Sequence, residues 1–476
     1  MSKLDDNTLL TSNLELVIKD SKLISSLNIY QYWINSSHNT YLPYNQITDS
    51  SNLCYYELIS SIYYGGCIEI DIFNFTDDLN DIIVNHLSTN SKSILLSDII
   101  KICTTAIKRK KTKPEYQYSG PLILIFDNKS IKSNHKITLL KKIIIDKLID
   151  SNIDIEIMDS NIDLTSIKLS DMAYKIVIIW NFYKMQNDTK YYNQLINNNN
   201  YLSISHLNAY NKMNNFVLLN SMSNFIRIYP PFYNILSNNF QTIKYLNFGI
   251  NMTAINVQTI DNYWFFNNAV FNGDKPIAYR LKPIWLLGLV PHPGTYTLTL
   301  KINSTSLNNN NLKCKIIYGL TNKSFTFNIL NEVIIKGIDP TVPYFKLSIN
   351  DYHNGCDIVW SLNNVNIFNT IKLALFKPNV GIFNFNKINS SLPKSCNNEF
   401  IYKKDKFIEC DIQYKYEKEI VNDLKLNDEL SNKINKTRNS ERFKNLSLRD
   451  ILFDTNILNE YQETLKNTRV FTPNEV

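Results

Sequence analysis

Six side chains in the first third of the chain have the types and spacing for acid–base or metal chemistry. His38 and Asn39 follow an aromatic, strand-like run in YWINSSHNTYLPYNQI (32–47). Glu69 and Asp71 stand two apart in CIEIDIFNF (67–75), His86 closes DIIVNH (81–86), and Asp127 falls at the end of PLILIFDN (121–128). On a strand, residues i and i+2 share a face, so Glu69 and Asp71 converge on one point. One amide, three carboxylates and two histidines make a hard, oxygen-rich donor set. Such a set suits Ca2+ or Mg2+ better than zinc and leaves imidazoles for proton transfer. Taken singly, each residue has a plainer reading. A His-Asn pair is a surface turn, a metal-site corner or half of an acid–base couple, and Glu-x-Asp often only caps a sheet.

What must position these groups is a succession of strands. From about residue 30 to 184, short β-like runs (YQYWINSS, GCIEIDIF, DIIVNH, PLILIFDN, KIVIIW) alternate with longer helix-compatible stretches. Two of the latter, SKSILLSDIIKICTTAIKRK and HKITLLKKIIIDKLI, carry apolar residues at helical spacing. Nearly unbroken Ile/Leu/Val runs fit parallel strands buried on both faces. The polar residues fall at the C-terminal ends of successive strands, and in a closed parallel barrel those ends form one rim, where active sites lie. Residues 185–201 are polar and Asn-rich and read as a linker; the strand pattern resumes over 202–284. From 285 to 417 the texture changes to short runs alternating apolar and polar residues, the pattern of an antiparallel β-sandwich. The tail, 418–476, has helical spacing at Leu426, Leu430 and Ile434; a helix docked on the body or on a protein partner and a partly disordered segment are both open.

Composition sets the outer limits. The 476 residues call for two to four domains; they are 44% hydrophobic and 12% aromatic, enough for large cores. A net charge of +7 fits an anionic membrane surface or a phosphate-bearing ligand, and equally a soluble chain rich in lysine. IKRKKTK (107–113) is the densest basic run, but no aromatic-basic module surrounds it, so a nucleic-acid partner is not expected. Seven scattered cysteines without a Cys-x-x-Cys pair argue against a disulfide framework or zinc site and for a reducing compartment. The N-terminus carries acids and no apolar core, unlike a secretory leader, and no apolar run reaches the ~18 residues of a membrane span. Membrane contact is therefore expected to be peripheral, from the cytoplasmic side.

INSSHNTYLPYNQI, CIEIDIFNF, VNH, PLILIFDNK, SNFIRIYPP and AYRLKP, in this order and spacing, resemble the X and Y halves of a eukaryotic-type phosphoinositide-specific phospholipase C. The resemblance covers residues 30–284 well and extends more weakly through a C2-like sandwich to about 417. It implies an α/β split TIM-like barrel, an antiparallel C2-like β-sandwich, and a helical tail. The corresponding division is an N-terminal extension (1–29), the X half (30–184), a linker (185–201), the Y half (202–284), the sandwich (285–417) and the tail (418–476). It further implies Ca2+-dependent cleavage of the headgroup phosphodiester of phosphoinositide lipids in anionic membranes. Asn39, Glu69, Asp71 and Asp127 would bind Ca2+. His38 and His86 would be the catalytic histidines, with Glu69 (or Asp127) as proton acceptor. Arg227 and Tyr229 would hold the inositol phosphate, with Ser203 as a further headgroup contact, and Ile47 and Tyr233 would sit on an apolar, membrane-facing rim.

The chain also departs from the pattern. Asp127 stands where the family usually has Glu, and Ile179 and Asn181 occupy positions where lysines grip ring phosphates, with Lys184 nearby. Fewer cations weaken selection for a bisphosphorylated headgroup, so phosphatidylinositol or its monophosphate becomes a candidate substrate beside it. The alternative is a weak or inactive relative that acts as a lipid- or protein-binding module.

Overall fold

In the computed structural model of the chain, the described residues are 27–41, 66–85, 94–112, 120–181 and 238–283 (both with short breaks), 201–205, 225–230 and the strands from 295 to 417 given below. The linker after Asn181, the tail beyond Glu417, Ile47, His86, Lys184 and Tyr233 lie outside the described residues. The first sheet contains, in chain order, β1 (Tyr32–Ser37), β2 (Cys67–Phe75), β3 (Ile82–Val84), β4 (Ile94–Leu95), β5 (Leu122–Asn128), β6 (Ile155–Met158), β7 (Ile176–Asn181), β8 (Tyr201–Ser205), β9 (Phe225–Tyr229), β10 (Met252–Ile255) and β11 (Tyr279–Leu281). Eight of them lie side by side in the order β6-β7-β5-β2-β1-β10-β9-β8, and every neighbouring pair is parallel.

That sheet curls on itself. Ile34, Cys67, Ile123, Ile125, Val177, Ile179, Phe225 and Met252 come from six different strands and form one buried cluster. Arg227 on β9 reaches Glu69 on β2 at 2.8 Å, although two strands lie between them in the sheet. In a flat sheet three inter-strand steps separate their backbones by about 14 Å, too wide for this whole inner face to pack as one core. The opposite parity (Ile68, Ile70, Leu122, Leu124, Phe126, Ile176 and Ile178) faces outward. It is covered by two helices, α1 (Leu96–Thr112) and α2 (Asn134–Ile149). Their buried residues, such as Ile99, Cys103 and Ile107 in one and Leu140, Ile144 and Leu148 in the other, recur at three- and four-residue spacing. Both expected helices of this region therefore form, for the reason their periodicity suggests.

The lower end of the curled sheet is closed by Tyr279, whose hydroxyl donates to the Pro121 carbonyl at 2.6 Å. Its ring passes Gly66 and Gly120, just before β2 and β5, where an added Cβ would lie 2.9 Å and 2.6 Å from ring carbons. Two glycines thus admit the side chain that plugs the floor, and the polar strand ends open at the other end.

Three features differ from the sequence reading. β3, which leads to His86, is not a rim strand of the parallel set: it pairs antiparallel with the far half of β2, and β4 pairs antiparallel with β3. A β-like run next to a turn is equally compatible with either direction, and Asp77 to Asn80 here form the turn of a hairpin. β6, which had no strong apolar run, adds itself beside β7. The region 202–284, read as strands, also holds α3 (Thr242–Asn247) and α4 (Asn262–Phe271). α4 packs between the two sheets: Phe266, Ala269 and Val270 share one cluster with Trp33 of β1 and with Ile317 and Tyr344 of the second sheet.

The second sheet is wholly antiparallel, as its alternating texture predicts. Its strands are β12 (Thr295–Thr305), β13 (Lys313–Tyr318), β14 (Ser324–Asn328), β15 (Glu332–Ile338), β16 (Tyr344–Ile349), β17 (Tyr352–Asp357), β18 (Phe368–Phe376) and β19 (Lys404–Glu417). They run in the order β14-β13-β16-β17-β18-β19-β12-β15. A single register pair, His353 with Phe376, links β17 to β18, so the sheet falls into two four-stranded blocks. It is fastened to the barrel through α4: Lys346 donates to Asn262 Oδ1 at 2.9 Å and lies 4.6 Å above the Phe265 ring, while Arg280 sits 5.3 Å over Tyr344.

Candidate active site

The upper rim is built from the ends of four inward-facing strands. β1 ends at Ser37, and the chain then turns sharply through Asn39, which takes a left-handed φ of 45°. Asparagine is among the few residues other than glycine that adopt this conformation readily. The turn is held by the neighbouring strand: Asn39 N donates to Glu69 Oε2 at 3.2 Å, Thr40 N to the Glu69 carbonyl at 3.3 Å, and Glu69 N to Thr40 Oγ1 at 3.2 Å. The polar run SSHNT is therefore a clamp around Glu69.

Glu69, Asp71 and Asp127 are all buried, and each offers an oxygen within 4.8 Å of the others'. Asp71 and Asp127 are direct register partners on β2 and β5, and Glu69 precedes Asp71 by two on the same face. Oxygens on opposite sides of a calcium ion with bonds of 2.3–2.6 Å stand roughly 5 Å apart, so this carboxylate triangle has the size of a hard-cation site. Tyr41 donates its hydroxyl to Asp71 Oδ2 at 2.8 Å and orients that carboxylate. Burial, followed by the charge of Asp71, pushes the Tyr41 hydroxyl well above its usual range, so it stays a donor.

Arg227 is fully buried and donates from Nη2 to Glu69 Oε2 at 2.8 Å. Read from sequence as a headgroup ligand, its guanidinium here engages the carboxylate and lies 5.2 Å from the Tyr229 ring. His38 stacks on Tyr229 with centroids 6.0 Å apart and planes 4° from parallel. Its Nε2 is 3.7 Å from Glu69 Oε2, and its Nδ1 is 3.0 Å from Asn256 Oδ1. Burial lowers the His38 pKa; Glu69 opposes that shift and Arg227 adds to it.

The structure thus brings together His38, Asn39, Glu69, Asp71, Asp127, Arg227 and Tyr229. Ser203 lies on β8 as the register partner of Arg227. Asn181 is the register partner of Asp127, and Ile179, buried inside the barrel, is the partner of Ile125. Tyr41 and Asn256 were not anticipated. Tyr41 was visible only as part of a motif, and Asn256, in NMTAINVQT, carries no local signal at all.

Family models for both halves of one enzyme match this region: phosphatidylinositol-specific phospholipase C, X domain, over residues 26–181, and Y domain over residues 172–285. Together they span residues 26–285, more than half of the 476. The chain belongs to the phosphatidylinositol-specific phospholipase C family. It is 34% identical over 127 residues to mouse 1-phosphatidylinositol 4,5-bisphosphate phosphodiesterase eta-1, a stretch covering 26% of this chain and 7% of that protein. The crystal structures of L. pealei PLC21 and S. officinalis PLC21 are similar in fold, with TM-scores of 0.59 and 0.57 and 16% identity in each case. Those matches cover 86% and 94% of this chain and 58% and 60% of those two chains. The chain therefore spans less than two thirds of the length of these phospholipase C relatives.

Proposed function

We propose that the chain is a calcium-dependent phosphoinositide phospholipase C, cleaving the headgroup phosphodiester to diacylglycerol and inositol phosphate through a cyclic phosphate. The observation that carries this reading is the buried Glu69–Asp71–Asp127 triangle, flanked by His38 and Arg227, at the open end of a family-typical barrel. Asn39, Glu69, Asp71 and Asp127 are the residues that would hold Ca2+. When bound, the ion supplies charge neutralisation at the phosphate and acidifies a neighbouring hydroxyl. Asp127 is one methylene shorter than glutamate, and it would still hold a calcium ion, whose coordination tolerates varied ligand geometry.

The remaining steps belong to the chain. Glu69 or Asp127 takes the proton of the inositol 2-hydroxyl as it attacks phosphorus. The guanidinium of Arg227, 2.8 Å from Glu69, holds that carboxylate in place at the mouth of the barrel. His38, with Nε2 turned toward Glu69, donates from that nitrogen as the imidazolium to a phosphoryl oxygen where charge grows in the transition state. His86 protonates the leaving diacylglycerol oxygen and later activates the water that opens the cyclic phosphate. Tyr229 offers its face to the inositol ring, and Ser203 and Arg227 contribute to the headgroup side. Ile179 gives the barrel interior an apolar wall rather than a cation, which favours phosphatidylinositol or its monophosphate over the bisphosphate. The two four-stranded blocks of the second sheet are read as a C2-like unit that braces the barrel. Ile47 and Tyr233 are read as shallow membrane contacts of a cytoplasmic, peripherally bound enzyme.

The test is incubation with vesicles containing radiolabelled phosphatidylinositol, its 4-phosphate or its 4,5-bisphosphate, with calcium or with chelator. Water-soluble inositol phosphate is expected with calcium only, most from the less phosphorylated lipids. Binding to vesicles without release under every condition would instead identify a lipid-binding relative.

A further inference from the structure

His38 is held from behind by a residue with no part in the metal cluster. Asn256 is fully buried and directly follows β10. Its Oδ1 lies 3.0 Å from His38 Nδ1, and the backbone of the same strand end grips the histidine as well, with His38 N donating to the Ile255 carbonyl at 2.8 Å. The amide of Asn256 is oriented by its other end, since Nδ2 donates to the Asn238 carbonyl at 3.4 Å, leaving Oδ1 to face the ring.

A second buried amide fixes Asn256 in turn. Asn239 accepts from Asn256 N at Oδ1 (2.7 Å) and donates from Nδ2 to the Asn256 carbonyl (3.2 Å) and the Thr259 carbonyl (3.0 Å). It is tied to Asp261 through its own N–H at 3.0 Å, and Asp261 receives the Trp264 N–H at 2.9 Å at the start of α4. The acceptor presented to His38 is therefore anchored by a chain of hydrogen bonds to a helix packed in the core.

We propose that Asn256 is a positioning residue for His38, fixing the neutral ring as the Nδ1–H tautomer and aiming bare Nε2 at the carboxylate side of the rim. An amide oxygen can only accept, so the ring nitrogen it meets must carry the proton. One consequence follows for the chemistry, and it rests on the reading of His38 as catalytic: Nε2 is the nitrogen that faces the reacting groups. Ring orientation and proton placement set by a buried partner are what catalytic imidazoles elsewhere require.

The direct test needs no activity. In the 15N-labelled 476-residue chain, the ring signals of His38, assigned by their disappearance in His38→Gln, are expected to show the Nδ1–H pattern in the neutral ring. In Asn256→Leu they are expected to move toward Nε2–H. In the vesicle assay, Asn256→Leu should lower kcat by about 10–100-fold, in line with losses on removing orienting partners, with KM unchanged. Asn256→Asp, which restores an acceptor, should recover most of that loss. A wild-type ring protonated at Nε2 overturns the proposal without any variant, and so does an Asn256→Leu variant with unaltered kcat. A wild-type protein that releases no inositol phosphate while showing the Nδ1–H ring would overturn the enzymatic reading and leave the tautomer assignment standing.

Discussion

The two sheets of this molecule bury polar groups in opposite ways. The parallel, curled sheet hides ionisable residues at one end: Glu69, Asp71, Asp127, His38 and Arg227 are all buried there. The antiparallel sheet follows the simpler rule. Along β15, Val333, Ile335 and Ile338 point inward while Glu332, Ile334 and Lys336 are exposed, and among the described residues the polar side chains buried in this sheet, Lys346 and Ser348, both belong to β16, whose neighbour is α4. Charges enter an interior only when paired, hydrogen-bonded or bound to metal. A region that concentrates them at one point is under a chemical demand that packing alone does not impose, whereas the buried Lys346 serves a contact between two elements.

Four substitutions probe this contrast, from the largest expected effect to the smallest. Glu69→Gln keeps shape but removes the charge shared by Asn39, His38 and Arg227; headgroup release from vesicles should fall about 10²–10⁴-fold, the range for losing an acid–base group. Full turnover would break the contrast at its root. Arg227→Met strips the guanidinium from the buried Glu69 carboxylate and should cost about 3–5 kcal/mol in urea unfolding. Adding Glu69→Gln to that variant should recover part of the loss, because the two sites are coupled.

Lys282 sharpens the comparison at the foot of the barrel. Its Nζ donates to the Tyr30 carbonyl at 2.8 Å, and burial lowers its pKa to about 7. Between that value and the unfolded one near 10.4, the unfolded chain binds a proton that the folded chain does not, so stability rises with pH. The slope approaches about 1.4 kcal/mol per pH unit. Lys282→Met should therefore be more stable than wild type below pH 7, with the advantage shrinking as pH climbs toward 10. The Tyr30 carbonyl keeps a donor in the variant, since Asn251 Nδ2 reaches it at 2.7 Å. A pH-independent difference between the two proteins would refute the linkage. Ile334→Thr, on the exposed face of β15, should change stability by no more than about 0.5 kcal/mol and leave hydrolysis unaltered; a larger loss would mean that this face is covered.

Local chemistry was legible in the residues themselves. The i, i+2 spacing of Glu69 and Asp71 placed both on one face, the helical periods around Cys103 and Ile144 foretold two helices, and the alternation of β12 to β15 foretold an antiparallel sheet. These follow from side-chain direction within a single element, which a period of 2 or 3.6 determines without reference to anything distant. Closure into a barrel entered through the family resemblance, and register was not legible in the residues. Arg227 meets Glu69 across 158 residues and Asn256 meets His38 across 218, and the antiparallel direction of β3 depends on which edge of β2 remains open to it. Such pairings are settled by how the whole sheet closes, because a strand carries no mark of the neighbour it will find, and only closure brings the ends of β1, β2, β5 and β9 to one mouth.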